Sequence, residues 1–220
     1  MKPAVIFGTT GFAEVAYAYL SADSPYEIAA FTVHREYRTS EALLGLPVVP
    51  FEELEERFPP AEFEMFVAMG FSKVNKRRAE IYALCKSKGY RLLTYVNSRA
   101  IYWGELSVGD NCFILENNVI QPFVTIGNNV VLWSGNHIGH HSRIGDNCFI
   151  SSHVVVSGNC DIGNNCFIGV NATLRDGIKV APECIIGAGA LILKNTIEKG
   201  VYQSANTVAA NLKSDELRGF

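Results

Sequence analysis

The sequence has no excess of positive charge. Nineteen Lys and Arg face 22 Asp and Glu, for a net charge of -3. The basic footprint that neutralises phosphates is missing, and a nucleic acid is not an expected partner. Long apolar runs are missing too. Val130 to Trp133 and Val154 to Val156 are short, and even Val15 to Leu20 covers only six residues, far short of the roughly 20 that a bilayer-spanning helix needs, so no membrane span is expected. The first residues, Met1-Lys2-Pro3-Ala4-Val5-Ile6-Phe7-Gly8, enter a strand pattern where a signal peptide would have a long apolar core. A cytoplasmic location is the expectation.

What is present is regularity. From Val108, every sixth residue is aliphatic: Ile114, Ile120, Ile126, Leu132, Ile138, Ile144, Ile150, Val156, Ile162, Ile168, Leu174, Val180, Ile186 and Ile192. A fixed six-residue period with one aliphatic per repeat marks a parallel β-helix. Three such hexads make one triangular coil, so the anchors sort into three faces of five rungs. At about 4.8 Å per rung the prism is roughly 20 Å tall. Five of the six cysteines (Cys112, Cys148, Cys160, Cys166, Cys184) share one phase with Ala172, Ala190 and Ser142, a position that wants a small residue. Cys148, Cys166 and Cys184 stack close enough for a bridge, but free buried thiols are expected in a reducing compartment.

The residue before each anchor points outward, because side chains alternate along a strand. On the face of Val108, Ile126, Ile144, Ile162 and Val180 these are Ser107, Thr125, Arg143, Asp161 and Lys179, which suits water. On the next face they are Phe113, Val131, Phe149, Phe167 and Ile185. Such a column should be covered; the favoured reading is a neighbouring copy, closing as a homotrimer, with packing by the N-terminal domain as the alternative. One set of corners (Asp110-Asn111, Asn128-Asn129, Asp146-Asn147, Asn164-Asn165) is built of Asx residues and reads as structural. The other two are irregular and are where chemistry is expected.

Residues 1–98 alternate strand-like and helix-like segments: Ala4 to Phe7, Gly11 to Leu20, Ile28 to Thr32, Phe51 to Arg57, Glu64 to Met69, Val74 to Lys88 and Arg91 to Tyr95. That alternation predicts a small parallel α/β domain. Residues 99–200 form the β-helix. Residues 201–220 are a tail packing near the last coil, with a helix over 214–218. The first strand turns into its helix through Gly8-Thr9-Thr10-Gly11, which is either an anion-binding turn ahead of a helix N-terminus or an ordinary tight turn. Gly70 ends a later strand, and Lys73, Lys76, Arg77 and Arg78 after it either line the same crevice or form a solvated helix start.

Four of five histidines, His137, His140, His141 and His153, lie close together in sequence. His140 occupies an irregular corner, with Gly158 on the next rung leaving its ring accessible. Such an imidazole suits a general base or a surface corner alike. Zinc is a further reading of the four, although a catalytic zinc needs three converging nitrogens.

The run Gly135-Asn136-His137-Ile138-Gly139-His140-His141-Ser142-Arg143-Ile144-Gly145-Asp146, with Gly158-Asn159-Cys160-Asp161-Ile162-Gly163 and Ile186-Gly187-Ala188-Gly189-Ala190, resembles the left-handed β-helix acyltransferases. More narrowly, nearly the whole chain is similar to the sialic acid O-acetyltransferases and bacillosamine-pathway N-acetyltransferases. The resemblance implies a Rossmann-like nucleotide-sugar domain followed by a left-handed parallel β-helix. It also implies acetyl-CoA as cosubstrate with no metal, a homotrimer with coenzyme A between prisms, and a place in surface-polysaccharide or glycan biosynthesis. It assigns the general base to His140 beside His141, coenzyme A contacts to Gly158, Val170, Ala188 and Phe149, and sugar-nucleotide contacts to Gly8, Thr10, Gly11 and Gly70. N-acetylation of an amino sugar leads. O-acetylation, a γ-type carbonic anhydrase and a non-catalytic binding module are the alternatives. Two positions depart from the family pattern: His141 stands where relatives often have an acidic residue, and His34 roughly where an acidic pair is common.

Overall fold

A computed structural model of the chain describes residues 3–205, 207–209, 211 and 216. The helix expected over 214–218 falls, except for 216, outside them. The chain opens with β1 (Ala4–Phe7), α1 (Gly11–Asp23), β2 (Ile28–Val33), β3 (Ala42–Leu43), β4 (Leu46–Pro50), α2 (Leu54–Arg57), β5 (Glu64–Val67), α3 (Lys76–Ser87) and β6 (Arg91–Leu92). The sheet order is β3-β4-β2-β1-β5-β6. All pairings are parallel except the β3–β4 hairpin. β1 lies at the centre and is buried along its whole length, as its continuous apolar run requires in a sheet covered on both faces.

The expected helix over Val74 to Lys88 starts later. Lys73, Val74 and Asn75 all have left-handed φ values, 52°, 53° and 64°, and α3 begins at Lys76. Tertiary contact sets this start. Asn75 is fully buried and its side-chain amide donates to the carbonyl of Cys166 at 2.9 Å. Arg78, one turn on, is buried as well, so the basic helix start is not uniformly solvated. The last predicted strand, Arg91 to Tyr95, splits. Arg91–Leu92 completes the α/β sheet, while Tyr95–Val96 is the first rung of a β-helix face, inside the range assigned to the first domain.

Beyond Tyr95 the chain winds as a triangular prism of five-, six- and seven-stranded parallel faces. Strand residues as far as Ile192 pair with the one 18 positions on, as Phe113 does with Val131 and Val131 with Phe149. The anchors point inward and form one core with the cysteines. All six cysteines are free and buried. Their thiols close the corners from inside: Cys112 donates to the Gly127 carbonyl and Cys148 to the Gly163 carbonyl, both at 3.1 Å. The tail joins the prism through Val201–Tyr202, which adds a last strand beside Ile185–Ile186.

The α/β domain packs on the face carrying Phe113, Val131, Phe149 and Phe167. Those side chains share a core with Phe12, Ala16, Leu20, Phe66 and Leu93. The apolar column expected to meet a neighbouring copy is therefore covered within the chain. Fully burying each phenylalanine contributes about 1.5–3 kcal/mol, which makes this a fixed domain contact. The face facing water carries an ion pair, Arg143 Nε to Asp161 Oδ1 at 2.8 Å. The third face stays uncovered: Ile101, Val155 and Leu191 are 50%, 38% and 62% exposed.

Candidate active site

Each corner turns through two residues, the second in left-handed φ. At the corner opposite the α/β domain these second residues are Phe123 (67°), His141 (59°), Asn159 (57°) and Gly177 (70°). His140, first in its pair, projects into solvent. Its amide donates to Gln121 Oε1 at 2.9 Å, and its Nδ1 lies 3.1 Å from Nδ1 of His141. The His141 ring leans on Phe123, with centroids 4.6 Å apart. On the next coil stands Gly158. A Cβ there would be 2.8 Å from His140 Nε2 and 2.9 Å from Asp176 Oδ1, so no larger residue fits while the imidazole holds its place. The result is a notch floored by glycine, with an imidazole nitrogen on one side and a carboxylate on the other. Asp176 escaped the sequence reading. Its only signal was its place 18 residues beyond Gly158 on the same corner.

The second feature is a cavity of about 620 Å³ beyond the C-terminal ends of β1, β2 and β5, lined by Gly8, Thr10, His34, Glu36, Gly70 and Arg77 among others. This is where open α/β sheets place ligands. Gly8 has φ 129°, and a Cβ on it would stand 2.6 Å from the Ala68 carbonyl oxygen, so the turn requires glycine. The Thr10 side chain caps nothing, and the first amides paired at this end of α1 are those of Ala13 and Glu14, to the Thr10 carbonyl. The amides of Gly11 and Phe12 thus have no backbone acceptor, which is the anion-binding end of a helix. Gly11 itself lies outside the lining. His34 is tied down, its Nδ1 2.8 Å from Glu52 Oε1. Burial works against the charge on Glu52, but hydrogen bonds from His34 and the Arg35 amide hold its carboxyl below the ordinary range. Glu36 and Glu80, also in the lining, were not foreseen.

The predicted residues thus fall into separate groups. Gly8, Thr10 and Gly70 share the cavity, while His140, His141 and Gly158 share the notch. Val170, 43% exposed, and Ala188 stack on another corner, across the uncovered third face. Phe149 does not belong with them. It is buried under the α/β domain, against Phe12, Phe71 and the Arg78 guanidinium, and cannot meet a cofactor. Nor do the histidines converge: His137 lies on the third face and His153 over Gly135 on a different corner. Among the described residues no three His, Cys, Asp or Glu side chains are grouped to hold a metal ion, and no helix is long and apolar enough to cross a membrane.

Residues 106–140, 126–158 and 159–194 match the family described as bacterial transferase hexapeptide (six repeats). All three matched stretches lie within the prism. No match to the sequence was found among curated proteins. Among solved structures, the chain is similar to a histidine-to-asparagine mutant of perosamine N-acetyltransferase from Caulobacter crescentus in complex with CoA and GDP-perosamine. The TM-score is 0.84 and the identity 22%, covering 93% of this chain and 94% of that one. The acetyltransferase domain of PglB from Neisseria gonorrhoeae, in complex with acetyl coenzyme A, gives 0.81 and 22% over 92% and 96%. WeeI from Acinetobacter baumannii gives 0.77 and 17% over 91% and 95%. The likeness is one of fold, a small Rossmann-like domain followed by a left-handed hexapeptide helix, and it extends over almost the whole of each chain.

Proposed function

We propose that this protein is an acyltransferase that moves an acetyl group from acetyl-CoA to the amine of a nucleotide-linked amino sugar, in surface-polysaccharide or glycan assembly. The observation that carries the reading is the exposed corner residue His140, whose Nε2 stands beside the bare backbone of Gly158, 2.8 Å from where a Cβ on it would lie. Its support from outside the chain is the set of solved structures of the same fold whose ligands are CoA, acetyl coenzyme A and GDP-perosamine. In this reading the cavity behind Gly8 takes the nucleotide. The free amides at the start of α1 and the Arg77 charge face its phosphates. Coenzyme A runs along Gly158, Val170 and Ala188.

The chemistry needs no covalent enzyme intermediate. The sugar amine attacks the thioester carbonyl carbon while His140 Nε2 takes the amine proton. A backbone N–H near Gly158 faces the developing oxyanion. As the carbon–sulfur bond breaks, the proton passes from His140 to the departing sulfur. Cavity and notch lie on opposite sides of the prism in one chain, so a complete site takes the cavity from one copy and the notch from another. A homotrimer packed through the uncovered third face arranges this. The test is thiol release from acetyl-CoA in the presence of nucleotide-linked amino sugars. His140→Ala should lower kcat by about 10²- to 10⁴-fold. Full turnover by that variant would overturn the assignment.

A further inference from the structure

His141 directly follows His140 at the same corner, with its Nδ1 3.1 Å from that of His140. We propose that His141 and Asp176 are the positioning residues of His140: His141 fixes which imidazole nitrogen carries the proton at rest, and Asp176 holds the imidazolium that forms during transfer. The inference rests on His140 being the base, and concerns what prepares it.

The two Nδ1 atoms are 3.1 Å apart, so one must be an N–H donor and the other a lone-pair acceptor. Only one choice is productive. If His140 donates from Nδ1, its Nε2 is a free lone pair facing the Gly158 notch. If His141 donates instead, the proton of His140 sits on Nε2 and the base is blocked. His141 is well held to act as acceptor, with its backbone fixed in the left-handed turn and its ring packed on Phe123. When His140 takes a proton it becomes a cation with donors at both nitrogens. The Nδ1 hydrogen bond to His141 becomes charge-assisted, and the Nε2 end faces the Asp176 carboxylate across the missing Gly158 side chain. Neither gain exists before proton transfer, so both lower the barrier and not merely the ground state.

Asp176 is available for this role. It is exposed, and among the described residues it makes no ion pair. The other charged groups along this corner are Arg175, exposed and directly before Asp176, and Lys194 on the coil beyond. Gln121 and Phe123 on the coil below are neutral. Asp176 thus supplies the negative charge nearest the imidazole along the corner. The proton balance is unchanged, since Asp176 neither gains nor loses one.

The full-length protein is assayed with acetyl-CoA and a GDP-linked amino sugar. Asp176→Asn should lower kcat by about one to two orders of magnitude, with the KM for acetyl-CoA unchanged. Its acidic limb of kcat against pH should move to lower pH, because an imidazolium without its carboxylate releases its proton more readily. Asp176→Glu should restore both. His141→Asn, which keeps an acceptor in a residue tolerant of left-handed φ, should retain most of the turnover that His141→Ala loses. Independently of substrate, the His140 ring titration followed by NMR should move to lower pH in Asp176→Asn. If His140→Ala is inactive while Asp176→Asn keeps the wild-type pH profile and His140 titration, this inference fails and the base assignment stands. If His140→Ala keeps full turnover, the base assignment itself has failed.

Discussion

Arg78 shows how much a single side chain can carry outside the chemistry. It has no exposed surface and no carboxylate partner. Its guanidinium donates to the carbonyls of Gly70, Asn129, Asn147 and Cys148 and to Asn75 Oδ1 at 2.9–3.3 Å. Burial lowers its pKa to about 10, which still leaves it charged at neutral pH. Arg78→Met should destabilise the chain by about 3 kcal/mol or more, because it strips donors from buried carbonyls. Arg78→Lys should recover little, lacking the planar fork. Denaturant midpoints measure both. Sequence pattern treats charge as surface, so a buried cation served by main-chain carbonyls leaves no trace in it. The cysteine phase was more legible. Its demand for a small residue was readable, whereas its demand for a donor was not. Ser142 at that phase makes the same bond as the thiols, to the carbonyl of Ser157 at 3.1 Å.

At the scale of elements, the ladder was legible because its period is geometric: one inward aliphatic per rung satisfies the prism whatever surrounds it. The elements joining the two domains were less so, since their ends are set by what they dock against, as at Lys73 to Asn75. Two carboxylates clamp α1 to the first coils. Asp23 accepts from the Tyr95 hydroxyl at 2.7 Å and the Ser98 amide at 2.8 Å. Glu116 accepts from the Tyr19 hydroxyl at 2.7 Å and from Ser134 at 2.6 Å. Bonds from Ser98, then Tyr95, hold the Asp23 carboxyl below its ordinary range. Burial opposes the charge on Glu116, but Ser134 and Tyr19 still hold it low. Both titrate lower folded than unfolded, so their contribution is complete above the ordinary carboxylate range near pH 4 and is lost as pH falls through the folded values. The melting temperature should therefore drop as pH falls from about 6 to about 3. Asp23→Asn with Glu116→Gln should flatten that dependence while lowering stability at neutral pH.

At the scale of the whole molecule, the separation of cavity and notch leads to a mixing experiment. His140→Ala spoils the notch and Arg77→Glu the cavity, and each variant alone should be nearly inactive. Co-refolded in equal amounts, they should recover about a quarter of wild-type turnover, the share of sites that draw a good cavity and a good notch from different chains in a random closed assembly. No recovery would mean that each chain builds its own site. The register of the prism has a consequence of another kind. Because the rungs from Tyr95 to Ile192 pair with the residue 18 positions on, the repeat is read in frame, much as a message is. Loss of one residue inside a coil turns every later anchor to the wrong side, whereas loss of a whole coil leaves the phase intact. His140, Gly158 and Asp176 stand one coil apart in that frame. The chain can thus gain or lose coils at its ends and keep its notch, and only an insertion between these three would pull the imidazole from its carboxylate.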